Sequence, residues 1–109
     1  MKNQHTSYSI LDLALVSDGN SLKQTYNDAL KLAQQAEKFG YTRYWLAEHH
    51  NAPNIASSAT SILIGYVAQG TTKLRIGSGG IRLPNHSPLL VAEQFGALGS
   101  LYPNRIDLG

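Results

Sequence analysis

The stretch Thr42–Asn51, TRYWLAEHHN, changes from mostly apolar to polar after Ala47. Its first six residues are rich in aromatic side chains and predict a strand, and a polar loop begins at Glu48. Short apolar runs recur on either side, so that strands start near residues 9, 42, 74 and 105. A period of about 32 residues, with a helical pattern in each interval, predicts tandem βα units and a parallel sheet. The predicted strands are Ser9–Val16, Thr42–Ala47, Leu74–Gly77 and Arg105–Gly109.

Each interval carries apolar residues at helical spacing. In the first, Ser21 can cap a helix, Gln24 completes a capping box, and Gly40 ends the helix. The second helix stops near Gly70, and the third begins at Ser87-Pro88, with proline at the first helical position. The predicted buried faces are Tyr26, Ala29, Leu30, Ala33 and Ala36 in the first helix, Ala59, Ile62, Leu63, Tyr66 and Val67 in the second, and Val91, Phe95, Leu98 and Leu101 in the third.

Two architectures contain consecutive βα units, the (β/α)8 TIM-type barrel and the doubly wound flavodoxin-like sheet. Eight units of about 32 residues give about 250, the usual barrel size. A flavodoxin-like sheet normally finishes with a helix over its last strand, whereas this chain stops inside a strand. We therefore interpret residues 1–109 as the N-terminal portion of a (β/α)8 barrel domain, an α/β fold with three βα units plus strand four, and expect all three helices on one face. Members of Ser9–Val16 and Leu74–Ile76 are expected to face inward without cover.

Composition narrows the class of protein. The nine Lys and Arg residues are scattered singly, and the net charge is only +2, so no basic stripe could follow a nucleic acid. The absence of Cys excludes disulfides and thiolate chemistry. The apolar runs fall short of the roughly 20 residues that a membrane helix needs, and the start MKNQHTSYS lacks a secretion signal. We expect a soluble cytoplasmic domain that binds neither nucleic acid nor membrane.

Glu48-His49-His50 places three ionisable side chains at the end of an apolar strand. Adjacent strand residues point to opposite faces, so His49 and His50 are poorly placed to grip one metal ion, and no metal is expected. A histidine at a strand end is a candidate for a general base or a cofactor contact. The alternative is a polar strand end whose histidines only bind neighbouring backbone groups.

Gly77-Ser78-Gly79-Gly80 ends the third strand. A dinucleotide fingerprint needs glycine where Arg82 stands, so that interpretation fails. Three glycines at a strand end instead allow close approach of a flat ligand, although a plain bulge is the competing interpretation.

For four other residues the sequence leaves the role open or predicts only a structural one. Arg82 and His86, on the loop after the third strand, can either meet an anion or face water. Glu93 is expected on a solvated helix face, and Trp45 is expected to be a core aromatic.

These segments resemble the bacterial luciferase-like monooxygenases, flavin-dependent enzymes with a (β/α)8 barrel. The resemblance rests on W-x-A-E-H-H, I-G-S-G-G-I-x-L-P-N-H-S-P and A-E-Q-F-x-x-L, and it covers nearly the whole chain. The matching segments are Ala36–Asn51, Ser58–Gly65, Leu74–Gly109 and, more loosely, the first strand.

The resemblance implies reduced FMN, delivered by a separate flavin reductase, which reacts with oxygen and oxidises a small organic substrate. It implies a catalytic base role for His49 beside the flavin, and cofactor contacts from Glu48, His49, Ser78, Gly79 and Gly80. It also implies a cis Gly79–Gly80 peptide under the flavin ring. We further expect the protein to be a homo-oligomer. The family holds the flavin phosphate with residues of later strands.

Two alternatives stay open. Related barrels use a deazaflavin cofactor for hydride transfer. The second alternative is a truncated, non-catalytic half-barrel that only associates with itself, since an exposed sheet edge favours pairing with another strand.

Overall fold

Four parallel strands form one sheet in the order β1-β2-β3-β4, as the repeat period predicts. The computed structural model describes residues 6–109. Residues of the second strand lie between partners on both sides, with Trp45 opposite Leu11 and Gly77. The elements are β1 (Ser9–Asp12), α1 (Leu22–Lys38), β2 (Arg43–Leu46), α2 (Thr60–Gln69), β3 (Arg75–Ser78), a 3-10 turn (Leu83–Asn85), α3 (Pro88–Leu101) and β4 (Ile106–Leu108).

The helices cover one face of the sheet, which confirms the expected layering. Tyr44 and Leu46 of β2 are fully buried beneath them, whereas Arg43 and Trp45 point to the other, open face and are partly exposed. The core combines small residues of α1 with larger residues of the strands and of α2 and α3: Ala33, Ala36, Tyr44, Leu46, Leu63, Ile64, Val67, Ala68, Leu74, Ile76, Val91, Phe95 and Leu98.

The first helix begins and ends where the sequence predicts. Ser21 Oγ accepts a hydrogen bond from the backbone N–H of Gln24 at 3.0 Å. The side-chain amide of Gln24 donates to Asp28 instead of closing the capping box. At the other end Gly40 adopts φ +83°, and the N–H groups of Gly40 and Tyr41 bind the last carbonyls of the helix.

The first strand is shorter than predicted. It ends at Asp12, whose carboxylate accepts a hydrogen bond from the Ala14 N–H at 2.8 Å while Ala14 adopts φ +53°. This turn takes the chain out of the sheet, and Leu15 pairs with Ile55 in an isolated antiparallel bridge. An apolar run therefore does not by itself measure the length of a strand.

Some assignments of apolar faces are wrong in both helices and strands. Ala59, Ile62 and Leu101, expected in buried helical stripes, are exposed, Ile62 and Leu101 to 70% and 69%. Leu74 and Ile76, expected on the inward face, lie fully buried against the helices, because strand alternation sends only Arg75 to the open face. No helix within residues 6–109 is long and apolar enough to span a membrane.

Candidate active site

A cleft of about 360 Å³ lies at the carboxyl end of β3. Trp45 and Leu11 reach it from the two preceding strands, and the backbone of the glycine segment forms its side. In a parallel sheet the carboxyl ends of the strands meet at one edge, which is where functional groups of such folds gather. The lining consists of Leu11, Trp45, Ser78, Gly79, Gly80 and Gly109.

Glycine is required at two positions of this edge by close approach. A Cβ on Gly77 would come within 2.7 Å of the Asp107 carbonyl oxygen and of the Trp45 ring. A Cβ on Gly80 would come within 2.9 Å of the Gly109 carbonyl oxygen. Gly79 and Gly80 have no side chains, and the Ser78 side chain is fully buried, where it accepts a hydrogen bond from the Gly109 N–H. Together they leave a flat backbone surface, which we call the glycine shelf (Ser78–Gly80).

Backbone hydrogen bonds hold the glycine shelf between its neighbouring strands. The Gly79 N–H donates to the Leu46 carbonyl at 2.8 Å, and the Ile81 N–H donates to the Gly109 carbonyl at 3.2 Å. The Gly79–Gly80 peptide bond is cis, as the resemblance predicts.

Trp45 is not the core aromatic that the sequence suggested. It lies on the open face of the sheet, partly exposed, with the Arg43 guanidinium 5.2 Å from its ring centroid. The signal was present in TRYWLA, because alternation puts Tyr44 and Leu46 on the helix side and Trp45 on the other.

Glu48 is a buried carboxylate whose oxygens both have partners. Oε1 lies 2.8 Å from His86 Nε2, Oε2 lies 2.7 Å from His50 Nε2, and the side chain is 1% exposed. Burial raises the pKa of the Glu48 carboxyl, but hydrogen bonds from His50, His86 and the Arg82 N–H outweigh it, so its pKa lies below the usual range. Since an ionised carboxylate only accepts, both histidines donate from Nε2.

His49 points elsewhere. Its backbone N–H donates to the Ser57 carbonyl at 2.9 Å, and the residue lines a cavity of about 370 Å³ with Asn51, Ala52, Pro53, Ile55 and Ser58. Within residues 6–109 its buried Nδ1 has no hydrogen-bond partner. The structure thus brings Ser78, Gly79 and Gly80 together in the cleft, and places His49 in a separate cavity and Glu48 between two loops.

Of the residues with open interpretations, His86 meets an anion, the Glu48 carboxylate. The exposed Arg82 side chain donates from Nε to the Glu48 carbonyl oxygen, and only the Arg82 backbone N–H reaches the carboxylate. Glu93 is exposed on α3, as expected.

An ion-pair network on the open face was not found by sequence reasoning. Asp107 accepts from Arg43 Nε at 2.7 Å and from Arg75 Nη2 at 2.7 Å. The pKa of Asp107 lies below its usual range. Hydrogen bonding from Arg75 lowers the pKa by more than burial raises it, and the nearby Arg43 lowers it further. These residues come from three different strands, so no local sequence pattern predicts that they pair.

The sequence matches the luciferase-like monooxygenase family over residues 6–109. The chain belongs to that family. A luciferase-like monooxygenase of Escherichia coli K12 is 59% identical over 109 residues, which are all of this chain and 32% of that protein. The N-acetyl-S-alkylcysteine monooxygenase of Bacillus subtilis is 50% identical over 101 residues, 93% of this chain and 30% of that protein. This luciferase-like chain therefore spans about a third of the length of the curated relatives it matches.

Solved structures share its fold. The crystal structure of apo-MsnO8 has a TM-score of 0.93 at 43% identity, over 96% of this chain and 32% of that one. The oxygenating constituent of 3,6-diketocamphane monooxygenase from Pseudomonas putida, in complex with FMN, has a TM-score of 0.84 at 24% identity, over 96% and 29%. The coenzyme F420-dependent tetrahydromethanopterin reductase of Methanopyrus kandleri has a TM-score of 0.76 at 20% identity, over 97% and 27%. The parallel order of the strands and these likenesses confirm the barrel-type α/β fold.

Proposed function

We propose that this chain contributes the ring-facing part of a flavin-dependent monooxygenase that uses reduced FMN and oxygen to oxidise a small organic molecule. Family membership supports the reaction class, and the glycine shelf beside Trp45 is the observation that carries the cofactor assignment. A reductase would supply the reduced FMN. We propose further that the protein works in the cytoplasm and as a homo-oligomer.

The cleft fits a flavin ring by shape and chemistry. An isoalloxazine is flat and mostly apolar on its faces, and the glycine shelf offers a surface without side chains, with Leu11 and Trp45 beside it. The lining contains no Lys or Arg that could bind a phosphate. The fit is therefore to the ring of FMN and not to its phosphate.

When bound, reduced flavin supplies two electrons to oxygen, so that one oxygen atom enters the substrate and the other leaves as water. The chain's own residues would orient the ring and exclude water. Ser78, Gly79 and Gly80 would lie against the ring, and Leu11 and Trp45 would cover its apolar edge. His49 would move a proton at Nδ1, which is buried without a partner among residues 6–109, and the residue lines a cavity large enough for a small substrate.

Oxygen uptake tests this proposal. The protein, with any reading frame that continues past Gly109, is supplied with reduced FMN and a panel of small thioethers and ketones. We expect substrate-dependent oxygen uptake, and a large loss of it in His49→Ala without a matching loss of stability.

Gly79→Val should weaken FMN binding, since the valine side chain would meet Trp45 and Leu11. Gly96→Ala, on the exposed side of α3, is the control. Unchanged oxygen uptake in His49→Ala would remove it from the catalytic residues.

A deazaflavin-dependent reductase is the second candidate, because a deazaflavin ring is equally flat and a reductase with this fold uses one. It predicts anaerobic reduction of the deazaflavin by an oxidisable substrate and no uptake of oxygen with reduced FMN. Measuring both reactions on one preparation separates the two.

A further inference from the structure

Glu48 joins two loops that are far apart in sequence. It follows β2, and its carboxylate accepts from His86, beyond β3, at 2.8 Å and from the Arg82 N–H at 3.4 Å. Arg82 Nε also donates to the Glu48 carbonyl oxygen at 3.2 Å. Three hydrogen bonds therefore run from this one residue to the segment Arg82–His86.

The carboxylate does not reach the cleft itself. One oxygen is taken by His86 and the Arg82 N–H, the other by His50, and Glu48 is absent from the residues that line the cleft. An effect of Glu48 on a ligand in the cleft must therefore be transmitted through the residues that it holds.

The segment that it holds has little else to anchor it. Ile81 packs against the core, but the 3-10 turn Leu83–Asn85 contains no buried residue, and Leu83 is 57% exposed. Apolar burial therefore contributes little to fixing this turn. Hydrogen bonds to Glu48 tie the residues at both ends of the turn, Arg82 and His86, to the loop after β2.

We propose that Glu48 is a positioning residue that fixes the loop after β3 (Arg82–His86), which follows the glycine shelf, relative to the loop that carries His49. The first loop adjoins the proposed ring contact and the second carries the proposed base, so the tie holds these two parts of the site in register. This consequence rests on the proposed function, whereas the tie between the loops does not.

Two histidines on the same carboxylate provide a matched test. His86→Ala removes the donor that spans the two loops, and His50→Ala removes a donor only two residues from Glu48. Hydrogen exchange is measured at the Ile81, Asn85 and His86 amides, each of which donates to a backbone carbonyl. In His86→Ala the Ile81 and Asn85 amides are followed. We expect them to exchange about tenfold faster than in the wild type, the factor that the loss of one hydrogen bond to a charged group supports. His50→Ala should leave the rates unchanged.

A second pair separates hydrogen bonding from bulk. His86→Gln keeps an N–H donor near the position of Nε2 and should restore slow exchange, whereas His86→Leu, of similar size, should not. Equal rates in all variants, equal acceleration by His50→Ala and His86→Ala, or equal behaviour of Gln and Leu would each overturn the proposal.

FMN binding is measured in a separate experiment. FMN is added to the wild-type protein, with any reading frame that continues past Gly109, and to the same protein carrying His86→Leu or His86→Gln, and flavin fluorescence gives the affinity. Weaker binding in His86→Leu than in His86→Gln would support the positioning role. Failure of the wild type to bind FMN would reject the proposed function, while the exchange rates, measured without flavin, still decide whether Glu48 ties the loops.

Discussion

At the scale of single residues, the open face is shaped by what glycine leaves out. Gly77 lies opposite Trp45 in the sheet, and its missing side chain leaves room for the indole ring and for the Asp107 backbone. A Cβ there would meet backbone atoms as well as the ring, and backbone in the middle of a sheet cannot move aside cheaply.

We expect Gly77→Ala to destabilise the chain by about 1–3 kcal/mol, the usual cost of overpacking. Urea denaturation followed by circular dichroism measures it. Trp45→Ala in the same background relieves the contact with the ring and should recover part of the loss. A Gly77→Ala chain as stable as the wild type would show that the sheet yields at this point.

At the scale of elements, Glu37 links the end of α1 to the start of β3. Its carboxylate accepts from the N–H groups of Thr72, Lys73 and Leu74, at 2.6 to 2.9 Å for the closest oxygen. Burial raises the pKa of Glu37, but these backbone hydrogen bonds outweigh it and hold the pKa below its usual range.

Glu37→Gln should therefore cost about 1–2 kcal/mol of stability near pH 7, because a neutral amide is a weaker acceptor with one oxygen. The folded-state pKa is the lower one, so the stabilisation is present above the unfolded-state pKa and is lost as the pH falls through the folded-state value. The difference between wild type and Glu37→Gln in thermal unfolding should shrink below about pH 4. Glu93→Gln, at an exposed position, should show no such difference. A gap that persists undiminished in acid would contradict this assignment.

The third helix contains a glycine without a structural requirement. Gly96 lies inside α3, and a Cβ there would meet nothing within 4 Å. Gly96→Ala should stabilise the chain by about 0.5–1 kcal/mol through helix propensity alone. Gly40→Ala is the opposite case, because φ at that position is +83° and alanine would be strained, so we expect a loss of stability. Thermal unfolding of both variants checks the two signs together.

At the scale of the whole molecule, the sheet has one covered and one open face. The open face carries Leu11, 56% exposed, beside Trp45 and the network of Arg43, Arg75 and Asp107. Within residues 6–109, β1 and β4 each pair with one neighbour, so both edges offer unpaired backbone groups.

We expect these 109 residues, produced alone, to associate with themselves and to bind FMN more weakly than micromolar, since the cleft lining offers no phosphate ligand. Light scattering over a range of concentrations gives the mass, and flavin fluorescence gives the affinity. A monodisperse monomer that binds FMN at micromolar affinity or better would contradict both expectations.

The sequence by itself determined the order and direction of the strands, the caps of α1 and the glycine segment at the end of β3, because each depends on local spacing and local backbone preference. The tertiary structure alone decided that β1 stops at Asp12, that Ile62 and Leu101 face outward, and that Glu48 binds His86 across 38 positions of the chain. Periodicity reports which residues can share a face. Which partner a side chain meets depends on strand register and on the path of the loops, and both are set only when the βα units pack together.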